Sequence, residues 1–248
     1  MKISIITVAF NAVNTIEDTI ESVVAQTYSN IEYIVVDGGS IDGTVDVIKK
    51  YSEYIHMWIS EPDKGIYDAM NKGIAMATGD VIGILNADDV YAHTDALQKI
   101  SEAFEDTVID CCYGDLVYVS EDLSQDIRYW KSSIYDESLF AKAWIPPHPT
   151  FFVRKEGYER CGKFDSQYKL AADYELMLRF LWKFKLRSAY IPDTLIKMRL
   201  GGVTNNSLGN IIRGNIEIYK AAKSYGLGIG LNFLFSKIAN RFSQFIKA

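Results

Sequence analysis

Cysteine, proline and histidine are scarce in this chain of 248 residues, at three, five and three. Cys111, Cys112 and Cys161 are odd in number and lack Cys-x-x-Cys spacing. That excludes a disulfide framework and makes a reducing compartment the expectation. No hydrophobic run approaches the ~20 apolar residues of a membrane span. The opening MKISIITVAF has a short apolar run before Asn11 and no small-residue cleavage site, so it reads as a first strand and not as a signal peptide. A basic excess is also missing. The formal net charge is −6, and with no Lys/Arg tract or zinc spacing nucleic acid is not an expected partner. Neither GxGxxG nor GxxxxGK[ST] follows the first strand, so a Gly-rich loop is not the main anion holder.

The composition that remains is globular: 48% apolar, 13% aromatic and 23% charged. The length allows one large α/β domain, or one domain with a C-terminal addition. Sixteen tyrosines and four tryptophans serve either packing or a sugar-stacking surface, and composition leaves both open. Charge is unevenly spread. From Leu208 to Ala248 six basic residues stand against Glu217 alone, a net +5 that leaves −11 for the first 207 residues.

Periodicity gives the organisation. ISIITVA (3–9) reads as a buried strand, followed by a helix with Ile16, Ile20, Val23 and Val24 at three- and four-residue steps. Asn14 with Glu17 resembles a capping box. EYIVVDGG ends a second strand at Asp37, and Val45, Ile48 and Tyr51 mark a second helix. YIHMWIS (54–60) is a third strand, Ile66, Met70, Ile74 and Ala77 mark a third helix, and VIGIL (81–85) is a fourth strand. A helix around 95–105 and a strand around 111–119 come next. This alternation predicts a parallel sheet with helices on both faces. Beyond residue 120 it breaks. The segment 121–150 reads as irregular, followed by a strand (150–154), a helix from about Asp173, strands near 187–200, a loop (201–207) and helices over 208–224 and 229–246.

Open parallel sheets bind ligands at the carboxyl ends of their strands. Here those ends carry Phe10-Asn11, Asp37-Gly38-Gly39-Ser40, Glu61 to Gly65, and Asn86-Ala87-Asp88-Asp89. Three acidic ends on one edge point to a site. Carboxylates repel phosphate directly but hold it through a hard divalent cation, Mn²⁺ or Mg²⁺, which keeps substrate phosphates as further ligands. Asp88 and Asp89 are the metal candidates, since no lysine lies near them in sequence to pair with. Asp37 suits a hydrogen-bond donor such as a pyrimidine imide or a ribose hydroxyl, with glycines beside it for a flat base. Lys64, at a strand end, suits a diphosphate or ribose contact.

The stretches VVDGGSIDGT, SEPDKGIYDAMNKGIAMATGD, LNADD and HPTFFVR…GKFD…AADYELMLR together resemble family 2 glycosyltransferases of the GT-A fold, nearest in look to bacterial enzymes of surface-polysaccharide assembly. The resemblance covers about residues 3–200, with four motifs in order. It implies a mostly parallel central sheet flanked by helices. Residues 1–207 would form the glycosyltransferase domain, with a Rossmann-like nucleotide half (1–120) and a mixed acceptor half (121–207), and 208–248 a C-terminal helical extension. It further implies inverting transfer from a nucleotide-diphosphate sugar to a glycan or polyprenyl-linked acceptor. UDP is favoured because Asp37 suits a uracil imide.

Carried onto this sequence, the resemblance has Asp37 read the nucleobase with Thr7, Ala9 and Asn11 lining its pocket. Asp63 to Asn71, including Lys64 and Gly65, form the wall beside the donor. Asn86 and Asp88 fill the first and last slots of the DxD motif, with Asp89 able to substitute for Asp88. Asp173 falls on the catalytic base, with Glu175 pointing away if its helix is regular. The resemblance places His148 on the acceptor side; Trp144 reads as core or as a sugar platform on that side, and Trp130 is a second candidate platform. His56 and His93 read as structural, Trp58 and Trp182 as core. Three departures stand out: Asn86 replaces an Asp, Ala172 stands where many relatives have Glu, and MRLGGVTNN lacks a His that some relatives supply near the metal. A metal held weakly without nucleotide is the expectation.

The apolar, basic pattern of 229–246 reads as an interfacial helix or as one packed on the domain or a second subunit. The first reading implies a cytoplasmic protein peripheral to the inner face of the membrane; the second allows a homo-oligomer. Competing functions are a sugar-nucleotide nucleotidyltransferase and a non-catalytic sugar or nucleotide binder. The first wants a Gly-rich, basic loop after strand one, and Ala9-Phe10-Asn11 is not that.

Overall fold

The computed structural model describes residues 1–142, 144–201 and 208–228. β1 (Ile3–Ala9) is buried at every position, the pattern of a parallel strand covered on both faces. It pairs in parallel with β2 (Ile31–Asp37) and with β4 (Val81–Asn86), and β3 (Met57–Ser60) extends the parallel set beyond β2. The crossover helices follow the sequence pattern. α1 (Ile16–Val24) buries Ile16, Ile20 and Val23, and α3 (Ile66–Met76) buries Met70 and Ile74; α2 spans Thr44–Lys50.

The sheet does not stay parallel. β5 (Asp89–Tyr91) and α4 (Ala96–Ala103) lead to β6 (Cys111–Val119), which forms a hairpin with β7 (Asp126–Trp130). α5 (Ser138–Ala141) and a 3-10 turn (His148–Thr150) precede β8 (Phe152–Arg154). β8 then lies antiparallel between β4 and β6. Gly83 makes room for it: a Cβ there would lie 2.0 Å from the Phe152 ring. α6 (Lys155–Cys161) and α7 (Ala172–Leu178) follow, and α7 runs on through a wide π-type turn, Arg179–Lys183. β9 (Ser188–Arg199) is one long strand, parallel to β6 and antiparallel to β5. The strand order is β3-β2-β1-β4-β8-β6-β9-β5, with β7 beside β6.

Several expectations are corrected. The Asn14–Glu17 capping box does not form, because Glu17 accepts instead from Lys50 and the Tyr51 hydroxyl. The third strand begins at Met57, not at Tyr54. The segment 121–150 holds β7, α5 and the 3-10 turn; β5, at three residues, is too short for periodicity to reveal, and α6 is a further element not expected from the sequence. The expected single body over 1–207 is not contradicted: its two halves share one sheet, since β8 and β9 interleave with β4, β5 and β6.

Two core layers sandwich the sheet. One joins Val8, Ile34, Met70, Ile84 and Phe180; the other joins Ile5, Ile20, Val35, Leu97 and Ile196. α8 (Leu208–Ser224) packs on α7 and sinks Ala221 and Ala222 into the first layer. The described part of the C-terminal extension is therefore integral to the body. The loop 202–207 and the pattern at 229–246 lie outside the described residues. The three cysteines are buried and free. No helix among the described residues is long and apolar enough to cross a membrane.

Candidate active site

The carboxyl ends of the parallel strands form one edge of the site. Asp37, the last residue of β2, is fully buried. Its Oδ2 accepts the Gly39 and Ser40 amides at 3.1 and 2.9 Å and the Ser60 hydroxyl at 2.6 Å, and its Oδ1 takes the Ser40 hydroxyl. Oδ1, with a single donor, is the less occupied of its two oxygens. Ala9 sits in register with Asp37, and its carbonyl accepts the Gly38 amide at 2.8 Å. Asn11 adopts φ 49°; its amide oxygen takes the Ile41 N–H at 3.1 Å and its N–H donates to Ser40 at 2.7 Å. Asn11 thus braces the loop after β2. Thr7 does not line the pocket with its side chain: it is buried, with its hydroxyl 3.1 Å from that of Tyr33. Phe10, 64% exposed, stands beside Gly38.

The wall after β3 is a tight turn. Asp63 Oδ1 accepts the Gly65 amide at 2.7 Å, and its other oxygen leaves no room for a Cβ on Gly38, at 2.4 Å. Gly65 takes φ +112°, a conformation that favours glycine. Lys64 is exposed and its N–H donates to Asp68 at 3.1 Å. Asn71, expected beside the donor, spends its amide on the backbone of Phe164, donating at 2.9 Å and accepting at 2.9 Å. It ties α3 to the acceptor half.

At the end of β4 the two adjacent carboxylates separate in role. Asp88 is partly exposed; Asp89 opens β5 and is fully buried. Asp89, expected as a second metal ligand, accepts the Asn86 side-chain amide at 3.0 Å, and a cation could reach it only if it were uncovered. Burial pushes the Asp88 carboxyl above its usual range, with Arg199 opposing. Burial and then the Asp88 charge push Asp89 well above it, with Asn86 and Arg199 opposing. Asn86 Oδ1 and Asp89 Oδ1 are buried acceptors with no protein partner.

Arg199, the residue that sequence reasoning missed, supplies the protein's own positive charge here. It is 5% exposed, at the end of β9. Its guanidinium donates to the Asp88 carbonyl at 2.8 Å, to the Glu121 carbonyl at 2.7 Å and to the Asp18 carboxylate. At 111 residues from Asp88, it sends no local signal.

No group of three or more His, Cys, Asp or Glu side chains among the described residues forms a metal cage. One partly exposed carboxylate and an orphaned amide oxygen suit a Mn²⁺ or Mg²⁺ that takes its remaining ligands from substrate phosphates and water. The donor set therefore fits a divalent cation brought together with a nucleotide diphosphate.

A second acidic position lies in residues 121–207. Asp173 sits in the first turn of α7, partly exposed, and accepts the Tyr67 hydroxyl of α3 at 3.1 Å, across 106 residues of sequence. Burial and then the Asp173 charge hold the Tyr67 phenol well above its usual range, so it stays a donor. Phe164 stacks on Tyr67 at 5.5 Å, and His148 meets Phe164 edge-on at 5.8 Å. Burial lowers the His148 pKa, while the Asp173 charge opposes. Glu175 points away, as a regular helix requires: it is 1% exposed and pairs with Arg179 at 2.8 Å. Trp144 packs among Tyr113, Tyr135 and Phe140, with its ring N–H buried and without a partner. Trp130 stacks parallel to Tyr118 at 6.3 Å. Both rings are thus engaged in packing.

Residues 4–162 match the family model described as glycosyl transferase family 2. An uncharacterised glycosyltransferase of Mycobacterium tuberculosis is 32% identical over 71% of this chain and 68% of its own length. Among solved structures, TarS (1–349) of S. aureus in complex with UDP superposes with a TM-score of 0.69 at 16% identity, over 98% of this chain and 72% of that one. Against a longer TarS chain the match spans 44% of its length. The mannosyltransferase PcManGT of Pyrobaculum calidifontis, in complex with GDP-Man and Mn²⁺, gives 0.68 at 19% identity, over 98% and 70%. At such identities these likenesses carry the fold, which is that of GT-A glycosyltransferases.

Proposed function

The chain belongs to glycosyl transferase family 2, and from that premise we propose that it is an inverting transferase. It takes a sugar from a nucleotide-diphosphate donor and passes it to a hydroxyl of a glycan or polyprenyl-linked acceptor in cell-surface polysaccharide assembly. One observation carries the reading. Two acidic sites of different character stand apart in the fold: the partly exposed carboxylate Asp88 past the end of β4, and Asp173, which Tyr67 ties to α3, the helix that follows the Asp63–Gly65 turn.

Each site suits one requirement of the reaction. The acceptor hydroxyl must lose its proton as it attacks the anomeric carbon, and Asp173 takes that proton at a carboxylate oxygen. Tyr67 occupies Oδ1 and leaves Oδ2 for the acceptor. His148, edge-on to Phe164, which stacks on Tyr67, stands beside Asp173 as a hydrogen-bonding group for the acceptor. On the other side Asp37 and the loop braced by Asn11 receive the nucleoside, and the exposed Lys64 lies on the wall available to the diphosphate. A divalent cation, Mn²⁺ or Mg²⁺, would supply stabilisation of the charge on a leaving diphosphate; the partly exposed Asp88 would hold it, and the buried Asn86 amide oxygen would join it only once uncovered. TarS carries UDP and PcManGT carries GDP-Man on this fold, and the Asp37 carboxylate suits a UDP-sugar. Contact with the inner membrane face rests on the sequence pattern at 229–246 alone.

A thermal-shift panel of UDP-, GDP- and dTDP-sugars, each with and without Mn²⁺, tests the reading. A ligand of the native state raises the melting temperature by mass action, and 100-fold saturation contributes ~2.7 kcal/mol. A UDP-sugar with Mn²⁺ is expected to give the largest shift. No shift from any nucleotide sugar would contradict the proposal.

A further inference from the structure

The helix bearing Asp173 is short and starts without a capping side chain of its own: Ala171 is at its N-cap position and Ala172 begins it. The segment leading into it is held from α8 instead. Glu217, in the middle of α8, accepts the amides of Leu170 and Ala171 on Oε2 at 2.8 and 3.0 Å, and that of Lys169 on Oε1 at 3.1 Å. One carboxylate from 46 to 48 residues downstream thus fixes three consecutive backbone groups just before Asp173. Hydrogen bonds to a charged acceptor are shorter and stronger than neutral ones, and helix N-termini favour negative charge.

A second strut runs through the same helices. The Tyr225 hydroxyl donates to Glu175, which also holds Arg179, and Trp182 donates to the Tyr225 carbonyl at 3.2 Å. Arg179 in turn donates to the carbonyls of Cys161 and Lys163, at 2.6 Å for Lys163, next to Phe164 and its stack on Tyr67. The chain after residue 207 therefore reaches both sides of Asp173: its backbone through Glu217, and its Tyr67 partner through Glu175, Arg179 and Phe164.

We infer that Glu217 is a positioning residue for Asp173, and that α8 is part of the catalytic apparatus and not an appendage to it. The inference rests on the reading of Asp173 as the base. Glu217 touches no substrate; it acts by fixing the backbone from which Asp173 projects. A misplacement of about 1 Å in such a group costs ~100-fold in rate.

The test uses the full-length chain, its Glu217→Ala variant and its Glu217→Gln variant, which keeps one acceptor oxygen. Nucleoside diphosphate release from UDP-glucose, UDP-GlcNAc and GDP-mannose with Mn²⁺ gives kcat and donor KM. Amide hydrogen exchange over 165–180 reads the backbone directly. In Glu217→Ala, kcat is expected to fall ~10- to 100-fold with donor KM within about twofold, and exchange to quicken from 169 through 173. Glu217→Gln should fall between this variant and the wild type on both readouts. A kcat per folded molecule within about twofold of wild type in Glu217→Ala, with only the melting temperature lowered, overturns the inference. So does unchanged exchange at 169–171. If the wild type releases diphosphate from none of the donors, the proposed function fails separately. Exchange then decides the positioning alone: quickening that stops short of Asp173 overturns Glu217 as its support, and quickening that reaches it upholds that support while the catalytic part of the inference falls with the proposed function.

Discussion

Glu32, near the start of β2, and the pair Asp88–Asp89, just past the end of β4, lie toward opposite ends of the same parallel strands. Burial would raise the pKa of both. Glu32 is nevertheless lowered to about 2, because Ser4, Thr78 and Lys2 all donate to it. Its carboxylate takes the Ser4 hydroxyl at 2.5 Å, the Thr78 amide at 2.7 Å and Lys2 at 3.0 Å. Asp88 and Asp89 are raised, and Asp89 Oδ1 and the neighbouring Asn86 Oδ1 have no partner. A carboxylate saturated with donors contributes to the fold. A buried pair left under-satisfied opposes it, and persists where a ligand completes it.

Breaking the under-satisfied end has the largest expected consequence. Asp88→Ala should cut nucleoside diphosphate release ~1000-fold, by removing the carboxylate that holds the cation, while leaving the melting temperature unchanged or higher. Asn86→Ala should cost only ~10-fold. The reverse order of the two variants would mean that the motif is in another register.

The saturated end sharpens the contrast. Glu32→Gln should leave release within about twofold yet lower stability at pH 7 by about 1–2 kcal/mol, after allowance for solvent screening. That is a drop of roughly 2–8 °C for a chain of this size. The pH dependence has a definite sign. The folded-state pKa of Glu32 is depressed, so its contribution is complete above the unfolded value near 4.5 and is lost as the pH falls toward about 2. Urea unfolding of wild type and variant should therefore converge between those limits. Asp88 and Asp89, being raised, oppose folding as the pH rises above the usual carboxylate range.

The edge at the carboxyl ends of the parallel strands was legible in sequence because its parts are local. Asp37, Asp63 and Asp88 each follow a strand whose apolar run announces where it stops, and the loop after it closes within a few residues. The proposed acceptor-side roles of Asp173 and His148 come only from the family resemblance. Their surroundings come from pairings that no window contains: Tyr67 with Asp173, Asn71 with Phe164, Arg199 with Asp88, Glu217 with Ala171. The same distinction explains the sheet. β1 to β4 are repeated strand–helix units, whereas β5 and β8 are three residues each and owe their existence to neighbours. Thr7 and Asn71 show the remaining difficulty. A polar residue near a strand end looks the same in sequence whether it turns toward a ligand or, as here, toward Tyr33 or Phe164.

The central claim, a base on one half facing a donor held by the other, is tested most directly by Asp173→Asn in the full-length chain. Donor binding and turnover are measured on the same preparation. The account predicts that the sugar nucleotide with Mn²⁺ raises the melting temperature of the variant as much as that of the wild type, while transfer falls at least ~1000-fold, within the range for loss of a general base. Transfer at the wild-type rate by Asp173→Asn would contradict it.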